Sequence, residues 1–238
     1  MSIYNYEQVF GVADKTTQAM RKAIERWFHM YYDATATDTA DACQRIPYTV
    51  VNKLVRGVFG EYNTAGDTEF VRQVLSGVNE IKDTAMQLAL IGGACYVKPC
   101  PETAGFSFTL VPRNQALIFG ADHRGRPTDM GLVERRVDGK YYYTLLERRT
   151  VDAHGYLTIQ NRLFRSTDSR NVGAEVPLQN VPFYEGLAQE YRFEKPVGSV
   201  GLAELKVPVL NCVDGSAQGV SIYAAACPLI HAIDRNEH

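Results

Sequence analysis

The chain has 238 residues, with 27 acidic against 25 basic side chains and a net charge of −2. That length holds one large domain or two small ones, and 45% hydrophobic against 22% charged residues describes a globular rather than a disordered or fibrous protein. The balanced charge gives no global pull toward nucleic acid or an acidic membrane, so only local basic patches need weighing. No apolar run approaches the roughly 18 residues that span a bilayer; the best, Leu88 to Val97, is broken by Gly92-Gly93. The start, Met1-Ser-Ile-Tyr-Asn-Tyr-Glu7, lacks the basic and apolar regions of a signal peptide. Cys43, Cys95, Cys100, Cys212 and Cys227 are odd in number and lack Cys-x-x-Cys spacing, which fits reduced thiols rather than a disulfide or zinc framework.

In chain order, Asp14 is expected to cap a first helix whose stripe is Met20, Ala23, Ile24, Trp27, Phe28 and Tyr31. That spacing assigns the sole Trp to core packing. The small, Thr-rich run from Ala34 to Ala42 reads as a linker. Pro47 suits the first position of a second helix, with Val50, Val51, Leu54, Val55, Val58 and Phe59 on its apolar side. A third helix is expected after Asp67, with Phe70, Val71, Val74, Val78, Ile81, Ala85, Leu88 and Ala89 as its stripe and Gly92-Gly93 as its stop.

From Ala94 the period changes to two. Cys95–Lys98 and Phe106–Val111 are predicted to pair across a Pro99-to-Gly105 loop, with another short strand at Gln115–Phe119. Asp138-Gly139 is the strongest hairpin signal, joining Leu132–Val137 to Lys140–Leu146. Asp152–Gly155 turns into Tyr156–Phe164, and short strands are expected at Glu175–Leu178 and Tyr191–Glu194. A strand starting at Val207 then leads through a glycine-punctuated turn, with Ser216 or Ser221 as cap, into a helix with stripe Ile222, Ala226, Leu229 and Ile233. Pro228 is expected to kink or restart that helix. The order is α+β: a helical segment over 1–93, an antiparallel β-rich segment over 94–210, and a turn with the start of a helix over 211–238.

Chemistry-bearing motifs are few. The chain has no P-loop, dinucleotide fingerprint, H-E-x-x-H or EF-hand pattern. Gly215-Ser-Ala-Gln-Gly219 lacks the nucleophile-elbow spacing, because Ser216 directly follows Gly215. His29, His123, His154, His231 and His238 show no ligand spacing. The reading is therefore of a non-enzyme with no cofactor and no metal. Two rivals stay open. Glu134-Arg-Arg136 and Glu147-Arg-Arg149 beside Tyr141–Tyr143 form a basic, aromatic hairpin able to contact nucleic acid through Arg135, Arg136, Arg148 and Arg149. Cross-strand pairing with their own glutamates is the plainer account of those arginines. A small hydrolase using Ser216 or Cys95 is the second rival.

Several passages, in order, carry a resemblance. Lys53-Leu-Val-Arg-Gly-Val-Phe-Gly-Glu61, Ala89-Leu-Ile-Gly-Gly-Ala-Cys-Tyr-Val-Lys-Pro99, Tyr141–Glu147 with Tyr156–Asn161, and Asn211 through Gly219-Val-Ser-Ile-Tyr223 to Asp234 resemble the portal proteins of tailed bacteriophages, of the siphophage type from Gram-positive hosts. The resemblance implies a ring-forming structural subunit at the capsid vertex, acting in head assembly, DNA packaging and ejection. Its implied partners are other portal subunits, capsid or scaffold, terminase and head–tail connector proteins, with double-stranded DNA passing through the channel and no membrane. The implied locations are the virion and, during assembly, the host cytoplasm. By the resemblance this chain would cover the wing, and the sequence is expected to have been cut before most of the stem, clip and crown. Asn211, Gly215, Gly219, Ser221 and Asp234 are expected to shape the turn and start the helix between wing and stem.

Overall fold

The computed structural model describes residues 6–32, 45–102 and 105–236. In chain order the elements are α1 (Tyr6–Phe10), α2 (Gln18–Tyr32), α3 (Ile46–Phe59), α4 (Glu69–Gly92), β1 (Ala94–Glu102), β2 (Gly105–Pro112), β3 (Ala116–Ala121), β4 (Pro127–Asp138), β5 (Tyr141–Val151), β6 (Leu157–Ser166), β7 (Ala174–Val176), β8 (Glu190–Arg192), β9 (Ala203–Lys206) and α5 (Cys227–Asn236). The fold is α+β, with helices first, antiparallel sheets next and a helix at the end. The expected linker at Ala34 to Ala42 lies outside the described residues.

Two compact units form, each from two stretches of chain: residues 1–16 with 115–201, and residues 17–114 with 202–238. A division by hydrophobic period at 93 and 210 groups residues differently from this division by contact. The reason lies in β1, which leaves α4 directly and pairs with β9 as well as β2, so the first two strands belong with the helices.

The first unit is built on one antiparallel sheet in the order β3-β4-β5-β6-β7, with β8 also on β6. A two-residue turn joins β4 to β5 where a hairpin was expected, but its residues are Gly139 and Lys140, one place on from Asp138-Gly139: Asp138 still pairs with Tyr141, and Gly139 takes φ +56° at the first turn position. The strand β5 is central and covered on both faces, which is why its residues do not alternate. On one face Leu146 packs with Tyr6, Leu117, Phe119 and Val133; on the other, Tyr143 and Leu145 pack with Leu163, Leu178, Val181 and Tyr184. The short helix α1 had no periodic signal in the sequence. It is held by Tyr6, a buried ring whose hydroxyl donates to the Leu132 carbonyl oxygen.

In the second unit α2, α3 and α4 pack with a three-stranded sheet in the order β2-β1-β9 around Met20, Trp27, Val51, Ile91 and Val220. Thr17, not Asp14, caps α2: its Oγ1 accepts from the Met20 N–H at 3.1 Å, while Asp14 Oδ1 accepts from the Thr16 and Ile118 N–H groups. Thr68 caps α4 by accepting from Val71 N–H. Pairing of β1 with β2 runs on through Pro99 and Pro101, which the sequence placed in a loop. This is allowed because β9 pairs only with Ala94–Val97, so beyond Val97 one side of β1 is an edge that needs no N–H donor. The last strand is Ala203–Lys206 rather than a segment starting at Val207.

The final helix begins at Cys227, after a 3-10 turn at Ala224–Ala226, so that Pro228 stands in its first turn where a missing N–H is harmless. That start rotates the stripe: Cys227 and Ile230 are buried, whereas Leu229 is 64% exposed. Two other stripes are only partly covered. Val51 and Val55 of α3 are buried and Leu54 and Val58 exposed; Ala85 and Ala89 of α4 are buried and Phe70 and Val71 exposed.

Candidate functional site

The turn at Asn211–Ser221 is organised by one amide. Asn211 Oδ1 accepts from the N–H groups of Val213 and Asp214, at 2.9 and 3.2 Å. Its Nδ2 faces three acceptors, Asp214 Oδ1 at 2.8 Å, Ser216 Oγ at 3.1 Å and the Gln218 carbonyl oxygen at 3.3 Å. An amide supplies two N–H donors beside an acceptor oxygen, whereas an ionised carboxylate has no donor and a hydroxyl only one. Thr17 Oγ1 donates to Asp214 Oδ2, tying the start of α2 to the turn. Burial alone would raise the Asp214 carboxyl, but hydrogen bonds from Thr17, Ser216 and Asn211 hold it below its usual value. Gln218 Oε1 accepts from the buried Arg113 at 2.6 Å, and Lys206 Nζ donates to the Ala217 carbonyl oxygen.

This turn closes the end of α4. A helix leaves its last carbonyl oxygens without intrahelical donors. Here the Leu90 carbonyl oxygen accepts from Ile222 N–H at 3.0 Å and Ser221 Oγ at 3.1 Å, and the Gly93 carbonyl oxygen accepts from Val207 N–H at 3.0 Å. Gly93, at φ +86°, is the left-handed cap, its N–H returning to the Ala89 carbonyl oxygen. A Cβ on Gly93 would stand 2.3 Å from the Gly219 carbonyl oxygen, and one on Gly219 would stand 2.0 Å from the Gly93 carbonyl oxygen. The two glycines let two backbones meet where no side chain fits.

Of the residues singled out in the sequence, Asn211, Gly219 and Ser221 therefore come together. Gly215 makes the turn at φ +69°, with open space where a Cβ would point. Ser221 is not a cap for the last helix; it serves the end of α4, and its Oγ also accepts from Tyr223 N–H. The side chain of Asp234 lies outside the described residues. Sequence reasoning missed Thr17, Leu90 and Tyr223, whose hydroxyl donates to the Trp27 carbonyl oxygen at 2.7 Å. The Gly92-Gly93 pair was the available signal, since a helix end that buries itself needs donors from elsewhere.

The hairpin arginines separate into two sets. Arg148 makes a two-bond fork to Asp129, at 3.0 and 2.7 Å. Arg149 is buried, donates to Glu147, and reaches the Val200 and Gly201 carbonyl oxygens at 3.0 and 3.3 Å. Arg148 pairs across strands, with Asp129, while Glu134–Arg136 and Glu147–Arg149 are neighbours along one strand, which corrects the cross-strand pairing with their own glutamates expected for those two. The structure thus does not bring Arg135, Arg136, Arg148 and Arg149 to one surface. Arg135 and Arg136 are exposed, whereas Arg148 and Arg149 are committed to the sheet interior.

The two nucleophile candidates are held differently. Burial pushes the Cys95 thiol up to about 12, the reverse of an activated thiolate. Ser216 Oγ is taken up within the turn, between Asn211 Nδ2 and Gln218 N–H. Among the described residues no three of His, Cys, Asp and Glu cluster so as to hold a metal ion. No described helix is long and apolar enough to cross a membrane. No protein-family model matches the chain, and no curated protein matches it.

Proposed function

We propose that this chain is the wing portion of a tailed-phage portal protein, a structural subunit that acts through contacts with other copies in a ring at the capsid vertex. The observation that carries the reading joins two of the passages on which the resemblance rests. Ala89–Pro99 and Asn211–Tyr223, singled out separately in the sequence, meet backbone to backbone at Gly93 and Gly219 and share the hydrogen bonds at Leu90. A junction of that kind suits a residue pattern that serves architecture: the polar groups named in it are bound within the turn, to the ends of α2 and α4, or to Arg113 and Lys206 beside it. In this reading Asn211, Gly215, Gly219 and Ser221 shape the connection from the wing toward the stem and catalyse nothing. The partners proposed are other portal subunits, capsid or scaffold, terminase and connector proteins, with duplex DNA in the channel.

The experiment is to express the whole reading frame that carries this chain and measure its assembly by light scattering and negative-stain microscopy. Rings of uniform diameter are expected. A protein that stays monomeric at high concentration would count decisively against the portal reading.

A further inference from the structure

With Arg148 and Arg149 paired to carboxylates of the sheet, another set of basic side chains in the first unit shares one face. The register sets Arg136 opposite Tyr143 and Tyr143 opposite Arg165, placing both arginines on one face of the sheet, two strands and about 10 Å apart. Tyr141 stands on the same face, its ring 6.4 Å from that of Tyr143. Two cations converge on Tyr141: Lys140 Nζ lies 5.3 Å and Arg165 Cζ 4.8 Å from the ring centroid. Both are exposed, and among the described residues no carboxylate lies within ion-pair distance of either. Arg136 Cζ sits 4.7 Å over Phe183 and shares Glu134 at 3.4 Å, an exposed pair that leaves much of its charge available.

Two like charges held over one ring, without a counter-ion, repel each other until an anion arrives. The ring attraction meanwhile holds both cations near one place while their side chains stay exposed. We propose that Lys140 and Arg165, with Arg136 beside them, bind the phosphodiester backbone of a nucleic acid. The ring of Tyr141 is already occupied by cations, so base stacking is not the mode; phosphate contact is. A strand carries a phosphate about every 3.4 Å along its axis, so cations spread over about 10 Å meet separate phosphates rather than one ion. The proposal stands apart from the portal reading and does not rest on it.

The test is binding of a fluorescein-labelled 20-nucleotide single strand and of a 20-base-pair duplex, by anisotropy, as salt is raised from 50 to 200 mM. Neutralising two to three phosphates predicts about 7- to 20-fold weakening of single-strand binding over that range. The K140Q/R165Q variant should bind more weakly and lose about 3-fold or less, whereas K140R/R165K, with charges kept, should behave as wild type. The K53Q/R56Q variant, which removes two exposed charges from α3 in the other unit, should leave the slope unchanged. If the double variant melts early, K140Q alone, at an exposed turn position, reads the same slope reduced by about 0.7. The proposal is overturned by no binding of either probe at 50 mM salt, or by a K140Q/R165Q slope equal to wild type. It is equally overturned if K53Q/R56Q loses as much, or if inorganic phosphate displaces the probe beyond chloride of equal ionic strength, which would mark a single-phosphate site.

Discussion

Gly93→Ala is the sharpest probe of the junction between α4 and the Asn211 turn. Two separate penalties apply. Gly93 has φ +86°, a left-handed conformation that costs a residue with a Cβ about 1–2 kcal/mol. The new methyl would also meet the Gly219 carbonyl oxygen at 2.3 Å, the Gly219 carbonyl carbon at 2.4 Å and the Val220 nitrogen at 2.5 Å. All three are backbone atoms without a rotamer to change, so relief requires moving the chain, at about 1–3 kcal/mol for overpacking of this kind. The sum is about 2–5 kcal/mol. Two companions separate the terms. Gly219→Ala has no positive φ to penalise but would stand 2.0 Å from the Gly93 carbonyl oxygen, so it carries the steric term alone. Gly215→Ala has φ +69° in open space, so it carries the conformational term alone, about 1–2 kcal/mol. Trp27, the sole tryptophan, is buried in the core of this same unit, so its fluorescence during urea unfolding reports the unit directly. Gly93→Ala should unfold at the lowest urea concentration of the three. A Gly93→Asn variant, which tolerates the left-handed backbone, should recover only a fraction of the loss. Equal destabilisation by Gly93→Ala and Gly215→Ala, or full recovery with Asn, would refute the close backbone contact.

Two further outcomes are expected. Arg149→Met leaves Glu147 buried beside an apolar side chain and should destabilise the first unit by about 3–5 kcal/mol, whereas Glu147→Met with Arg149→Met should recover most of it; hydrogen exchange of β5 measures both, and a milder single than double variant would refute the pairing. Asp214 has a folded-state value below that of an unfolded carboxyl, so its contribution is complete above about pH 3.9 and is lost as pH falls through the folded value. The stability difference between wild type and Asp214→Asn, about 1 kcal/mol or less for a partly exposed group, should therefore shrink from pH 5 to pH 3. A difference that grows over that range would show the sign to be wrong.

Sequence periodicity carried the element order because it is a local property. The stripe at Met20, Ile24, Trp27 and Phe28 and the alternation at Leu157, Ile159 and Leu163 each need only their own neighbours to be read. The hairpin at Gly139 was equally local, since a glycine there takes the φ that a two-residue turn requires, although the pair that turns is Gly139-Lys140 and not Asp138-Gly139. What local reading misplaced depended on partners distant in the chain. Pro99 and Pro101 look like loop residues until β9 is seen to stop at the residue paired with Val97. Ser221 looks like a cap for the helix after it until the Leu90 carbonyl oxygen is found beside it. Arg148 and Arg149 look like a matched exposed pair until alternation sends them to opposite faces, one to Asp129 and the other to Glu147 and the Val200 carbonyl oxygen.

The same reasoning explains why the apolar stripes of α3 and α4 are longer than their cover. A helix stripe is written by every turn that packs against something, and Val51, Val55, Ala85 and Ala89 account for the turns that meet the core. Leu54, Val58, Phe70 and Val71 continue the pattern on surface that remains 39–60% exposed. Scattered apolar residues on a surface are ordinary, whereas a periodic continuation of a packed stripe offers a contiguous apolar face for contact. In the portal reading that partner is a neighbouring subunit, so Leu54→Gln with Val58→Gln should leave the Trp27 unfolding curve almost unchanged while weakening ring assembly of the whole gene product. Loss of core stability instead would mean that these residues pack within their own chain, and assembly unaffected by the change would place the subunit contact elsewhere.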